Sequence, residues 1–338
     1  MAQGAGPVPS ELQQGMTVDD TSVGEDEALL LNSIRLEEVD TDVYLAASRN
    51  LFVPPGARGV FGGQTVCQTL HAAILSVQPE YVVHSFHGYF MLAGDASRNI
   101  LYHVSRVRDG RSFATRSVEA RQRGKAIFAA TLQFHRPEDT PAIEIHKEMP
   151  KAPGPDGVKS DLDWCKEMAQ DSKLSEKVRE RFQRIVEMPH KIERRRTRVP
   201  DVDPQEPVEW VWMKVCGKLG NNAESHLASV AYMSDSGLLD PAFRPGGGLV
   251  PGRLRYPNLS MIVSLDHSMW FHSQDFRADE WLLFEMHCIQ AGGSRVLCQG
   301  QAWSIDGKLV FSCMQEGLAR FADEVAAKPA RIAPKAKL

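Results

Sequence analysis

Behind the pair Gly62-Gly63, the residues Val66, Leu70, Ala73, Ile74 and Val77 fall three or four positions apart. That spacing predicts an amphipathic helix. Leu227, Val230, Ala231, Ser234 and Leu238 repeat it, with Gly237 placed to end the second helix. Strand-like runs follow each helix, 82–91 and 100–107 after the first, 261–271 and 281–289 after the second. Each series closes on a hairpin with Gly-Lys in its turn, FATRSVEARQRGKAIFAATLQF at 113–134 and VLCQGQAWSIDGKLVFSCMQEGLAR at 296–320. The two halves are copies in register: Gly110 aligns with Gly293, Gly124 with Gly307, Lys125 with Lys308 and Phe128 with Phe311, each pair 183 positions apart. One long helix laid on a curved antiparallel sheet, twice over, is an α+β architecture.

The pattern divides the chain. Residues 1–28 carry Gly, Pro, Gln and Asp without a hydrophobic period and read as a disordered tail. The first repeat spans 29–140 and the second 187–322, as two domains. Between them, 141–186 is charged and punctuated by Pro and Gly, a linker with a polar helix near 175–187. The basic run HKIERRRTRV at 190–199 reads as a strand opening the second half with its charges in solvent; a phosphate-binding patch is the rival reading. From 323 the pattern is lost again in a basic tail that ends Ala336-Lys337-Leu338. That ending is close to the Ser-Lys-Leu address read by the peroxisomal import receptor.

Composition removes several classes of function. A formal net charge of −4, from 39 basic and 43 acidic residues, argues against a nucleic-acid binder. No apolar run reaches the roughly 20 residues that a membrane helix requires. The six cysteines form no C-x-x-C pair, which speaks against a metal site and for buried reduced thiols in a reducing compartment.

Polar residues on apolar positions are the candidates for chemistry. Asp235 follows Ala231 by four and Leu227 by eight, so it continues the stripe of the second helix at its last turn. Burial and the helix dipole both disfavour a charged carboxylate there, the setting a general base near neutral pH exploits. The alternative is an Asp that caps the following turn. Gln315 shares a strand face with Leu309, Phe311 and Cys313, where the first half has Leu132. A buried amide needs partners. The stretch SLDHSMWFH at 264–272 holds Ser, Asp and His, but as one strand it places Ser264, Asp266, Ser268 and Trp270 on one face and Leu265, His267, Met269 and Phe271 on the other. A one-line triad is thereby split across the sheet. His267 reads as a satisfied core histidine, and Ser264 gains interest only beside Asp235 and Gln315. The Gly62-Gly63 step offers bare backbone N–H groups for an oxyanion or substrate, or else close packing of helix on sheet.

Six segments carry a family resemblance: FVPPGARGVFGGQTV at 52–66, HSFHGYF at 84–90, VRDGRSF at 107–113, AYMSDSGLL at 231–239, SLDHSMWFH at 264–272 and MQEG at 314–317. Spread in order over both halves, they resemble the acyl-CoA thioesterase II family, built as a double hotdog. The resemblance implies hydrolysis of fatty acyl-CoA to fatty acid and CoA, with Asp235, Ser264 and Gln315 activating water and the hydroxyl of Ser264 standing where some members have threonine. It implies no cofactor beyond the CoA of the substrate, a peroxisomal matrix location in keeping with the C-terminal tail, otherwise a cytoplasmic one, and leaves room for a homo-oligomer. Two rivals remain, a hotdog enoyl-CoA hydratase or dehydratase using Asp266-His267, and a non-catalytic acyl-CoA binder.

Overall fold

The structure, a computed structural model, describes residues 27–138, 143, 145–197, 199, 206–243 and 259–322. The two tails, with the Ala336-Lys337-Leu338 signal, lie outside the described residues.

Both repeats fold as their periodicity dictates. The first contains a short helix α1 (Leu30–Ile34), edge strands β1 (Glu37–Asp40) and β2 (Val43–Ala46), the long helix α2 (Gly62–Leu75) and strands β3 (Val82–Phe90), β4 (Ile100–Asp109), β5 (Phe113–Gln122) and β6 (Lys125–His135). The middle segment carries α3 (Asp161–Gln170) and α4 (Glu176–Glu187). The second repeat has β7 (Ile192–Thr197), β8 (Val208–Val215), α5 (Ala223–Ser234), β9 (Leu259–Ser264), β10 (Asp266–Phe271), β11 (Leu282–Gly292), β12 (Arg295–Ser304) and β13 (Leu309–Phe321).

All strands join one antiparallel sheet in the order β1-β2-β4-β5-β6-β3-β10-β13-β12-β11-β8-β7, with β9 pairing β13 off this path. The halves meet where β3 pairs β10, His87 opposite Ser268. α2 and α5 pack side by side in opposite directions, Gly63 of α2 bonding Asp235 just past α5 and His71 lying near Glu224 at the start of α5. α2 is enclosed far beyond a stripe, every residue from Gly63 to Leu70 being buried. A Cβ on Gly63 would stand 2.4 Å from the Tyr232 carbonyl oxygen, so this helix crossing requires glycine.

Two expectations are corrected. The run 261–271 is not one strand. Ser264 lies opposite Gly317 and Ser268 opposite Met314, so four steps on one strand match three on the other. This is a one-residue β-bulge at Leu265, and it exchanges the faces beyond it. Its backbone is satisfied locally: Leu265 N–H donates to the Glu316 carbonyl, and Glu316 N–H donates to Asp266 Oδ1 at 2.8 Å.

The second correction concerns the basic run, whose charges do not all face solvent. In β7, Arg196 is 7% exposed and donates to Glu209 Oε2 at 2.7 Å, Asp161 Oδ1 at 3.1 Å and Asp240 Oδ2 at 3.2 Å. Burial disfavours its charge, and the three carboxylates outweigh that and hold the guanidinium above its ordinary range. A positive patch cancelled by three carboxylates does not suit phosphate. Asp161 opens α3, so this cluster also docks the middle segment onto the second half. Trp212 Nε1 donates to the Pro153 carbonyl, Arg195 to the Pro155 carbonyl and Trp303 Nε1 to the Lys147 carbonyl. The Lys147 ammonium pairs with Glu285.

Candidate active site

Asp235 is the C-cap of α5, and its carboxylate sits where the two helices cross. Gly63 N–H, in the first turn of α2, donates to Asp235 Oδ2 at 2.8 Å. The carboxylate therefore meets two helix ends, the unfavourable C-terminus of α5 and the favourable N-terminus of α2. Neither half builds this arrangement alone.

Gln315 is the other centre of the site. On β13 it is 1% exposed, and its side-chain amide is fully engaged. Nε2 donates to Asp235 Oδ1 at 2.9 Å and to Ser264 Oγ at 2.6 Å, while Oε1 lies 2.5 Å from His267 Nδ1. Asp235, Ser264 and Gln315, drawn from the end of a helix and two strands, thus converge as sequence reasoning expected. The β-bulge makes it so: it turns Ser264 and His267, three apart in sequence, toward the same amide.

His267 has no exposed surface, as befits a core histidine, yet it touches the site. Its Nε2 lies 2.8 Å from Ser234 Oγ, and Ser234 is itself wholly buried. No Ser264–His267 relay exists, because both ring nitrogens are occupied elsewhere. Nor do Asp266 and His267 form a hydratase-like pair, since Asp266 is turned into the bulge. Ser234 and His267 are the members that sequence reasoning missed. The available signals were a hydroxyl on the buried stripe of α5 and an imidazole on a buried strand face.

The expectation for the glycine pair divides. The Gly63 N–H, expected as an oxyanion or substrate donor, is taken by Asp235 and serves to orient the acid. Gly62 remains beside it, and a Cβ there would stand 2.8 Å from Asp235 Oδ2. In the first half the position of Gln315 is filled by the buried Leu132, and Ser76 caps α2 where Asp235 caps α5. That half therefore lacks both the acid and the amide.

A half-buried acid and hydroxyl joined by a buried amide, where two hotdog units meet, define a double-hotdog hydrolase. The sequence matches the acyl-CoA thioesterase N-terminal domain over residues 53–135 and the acyl-CoA thioesterase C-terminal domain over residues 162–319. It is 38% identical over 296 residues to acyl-coenzyme A thioesterase 8 of Rattus norvegicus, covering 86% of this chain and 89% of that one. The structure is similar to the acyl-CoA thioesterase II TesB2 of Mycobacterium marinum, with a TM-score of 0.66 at 30% identity, covering 86% of this chain and 98% of that one. A further relative, 25% identical over 320 residues and covering 80% of this chain and 88% of that one, is the peroxisomal acyl-coenzyme A thioester hydrolase 1 of Saccharomyces cerevisiae. The chain belongs to the acyl-CoA thioesterase II family and is a thioester hydrolase.

Proposed function

We propose that the chain hydrolyses fatty acyl-CoA by direct attack of water, with Asp235 as general base. The observation that carries this reading is the single amide of Gln315, which holds the Asp235 carboxylate and the Ser264 hydroxyl together. Gln315 spends both Nε2 hydrogens on these two groups, so the Ser264 proton is left to orient a water between hydroxyl and carboxylate. Asp235 takes a proton as the water oxygen bonds to the thioester carbon. The carbonyl oxygen becomes an oxyanion, for which the Gly62 N–H at the α2 N-terminus is the candidate donor. Collapse breaks the C–S bond, and the CoA thiolate leaves with the proton held by Asp235. The scheme uses no cofactor and no covalent acyl-Ser264.

The test is release of free thiol from acyl-CoA of graded chain length, by wild type and by Asp235→Asn. Loss of turnover on about a 10²- to 10⁴-fold scale in a folded Asp235→Asn protein is the expected result. Near-normal release would sink the assignment, and an acylated Ser264 peptide in protein quenched during turnover would replace it with a covalent route. The Ala336-Lys337-Leu338 tail and the peroxisomal yeast relative support action in the peroxisomal matrix, with the tail bound by the import receptor. Fusion of residues 323–338 to a fluorescent protein, with and without Leu338, tests that address.

A further inference from the structure

The hydrogen bonds around the site form a closed circuit. Ser234 and Asp235 are neighbours in the chain. From Ser234 Oγ the circuit runs 2.8 Å to His267 Nε2, then from His267 Nδ1 2.5 Å to Gln315 Oε1, and from Gln315 Nε2 2.9 Å back to Asp235 Oδ1. Three of its four members, Ser234, His267 and Gln315, are at most 1% exposed, so water competes for none of their bonds.

A free amide can turn end for end, presenting either its oxygen or its NH₂ to a neighbour. Here that choice decides the chemistry, because an amide turned the wrong way would aim its oxygen at the Asp235 carboxylate and leave Ser264 without its donor. Asp235 can only accept at this contact, which fixes Nε2 toward it and Oε1 toward the imidazole. An oxygen facing a ring nitrogen at 2.5 Å needs a proton on that nitrogen. Burial pushes His267 below the ordinary imidazole range, against the opposing pull of the Asp235 charge and the Gln315 bond, so the ring is neutral and carries one proton. That proton is on Nδ1, which leaves Nε2 as an acceptor toward Ser234 Oγ, whose one hydrogen is shared between Nε2 and the Ala231 carbonyl, each 2.8 Å away.

We propose that His267 is a positioning residue for the hydrolytic reaction: as its Nδ1–H tautomer, with Nε2 facing Ser234, it locks the Gln315 amide in the one orientation that serves both Asp235 and Ser264. The role rests on the reaction proposed above. It assigns His267 no contact with substrate or water.

Two substitutions separate this role from simple packing. Asparagine places an amide N–H close to where imidazole Nδ1 lies and can restore the bond to Gln315. Glutamine reaches toward the Nε2 position, restores only the Ser234 side, and fills more of the volume. The expected order of kcat is wild type, then His267→Asn, then His267→Gln and His267→Ala together, these last two lower on the order of 10- to 100-fold, with KM little moved. Because His267 acts through Gln315, adding His267→Ala to Gln315→Ala should cost nothing further in kcat. Histidine ¹⁵N NMR of the full chain at neutral pH should show one imidazole protonated at Nδ1 whose signals vanish in His267→Asn. That reading needs no turnover and stands even if His267→Ala fails to fold.

A rate for His267→Gln at or above that for His267→Asn, full multiplicative losses in the double variant, or an Nε2–H tautomer would overturn the proposal. Asp235→Asn tells its failure from that of the reaction scheme. A wild-type rate in that variant sinks the base assignment whatever the tautomer, and a dead Asp235→Asn beside an active His267→Gln sinks the positioning role alone.

Discussion

Gly63 and Asp235, 172 residues apart, are joined by a 2.8 Å hydrogen bond from the backbone of one repeat to the carboxylate of the other. The bond exists because the Gly63 backbone lies against Tyr232, at a distance no side chain would permit.

Substitutions at the two glycines should therefore separate stability from activity. A methyl at Gly63 meets the backbone oxygen of Tyr232 at 2.4 Å, which cannot swing away. Gly63→Ala should lose about 1–3 kcal/mol in urea unfolding, with activity falling alongside. At Gly62 the methyl first meets Asp235 Oδ2 at 2.8 Å, the end of a side chain that can rotate. Gly62→Ala should keep most of its stability and lose about 10²-fold in kcat/KM as Asp235 is displaced. Equal thermal shifts in both variants would contradict the packing argument.

Gln315→Leu gives the second half the residue the first half already carries at Leu132. It fills the space but leaves the His267 N–H, Ser264 and Asp235 without their shared partner. Stability should fall by about 1–3 kcal/mol and kcat by about 10²- to 10³-fold. At Ser264 the hydroxyl matters and the methyl does not. Ser264→Thr should stay within a few-fold of wild type in thiol release while Ser264→Ala falls well below it.

The Arg196 cluster is a structural anchor, to be read by unfolding rather than turnover. Arg196→Ala leaves Asp161, Glu209 and Asp240 together without their shared guanidinium. A loss of about 3–5 kcal/mol is expected from denaturant titration. A loss confined to kcat, with unchanged unfolding, would contradict this account.

Acid should loosen the middle segment where Lys147 docks on Glu285. Burial alone would raise the Glu285 carboxyl, but hydrogen bonds and charge from His287 and Lys147 outweigh it and hold the group down to about 2, against an ordinary value of 4.5. A depressed carboxyl stabilises the fold fully above its unfolded value and loses that contribution as pH falls toward its folded one. Stability should thus decline between about pH 4.5 and about pH 2. Lys147→Gln should flatten that decline in thermal melts collected across the interval.

Much of this was legible in the chain, and the exceptions share a cause. α2, α5 and the copied hairpins announce themselves because helix and strand periods are local. Asp235 and Gln315 stand out because each is a polar residue on an apolar period. The bulge at Leu265 leaves no local mark, since one extra residue becomes visible only when β9 and β10 are laid against a strand some fifty positions later. Hence strand parity alone puts Ser264 and His267 on opposite faces. The burial of Arg196 depends on Asp161 and Asp240, 35 positions before it and 44 after, so composition alone suggested solvent. α3 leaves little trace in the pattern because only Cys165 is buried along its length, too thin a stripe to mark a helix.

The pairing of β3 with β10 makes one molecule of what could have been two identical subunits. In a symmetric pair every mutation strikes twice, so an amide that serves one cleft must also occupy the other. Covalent fusion lifts that constraint. One repeat can carry Leu132 and Ser76 and turn toward packing, while the other carries Gln315 and Asp235. The lopsidedness of the site is thus open to two repeats joined in one chain and closed to a symmetric pair.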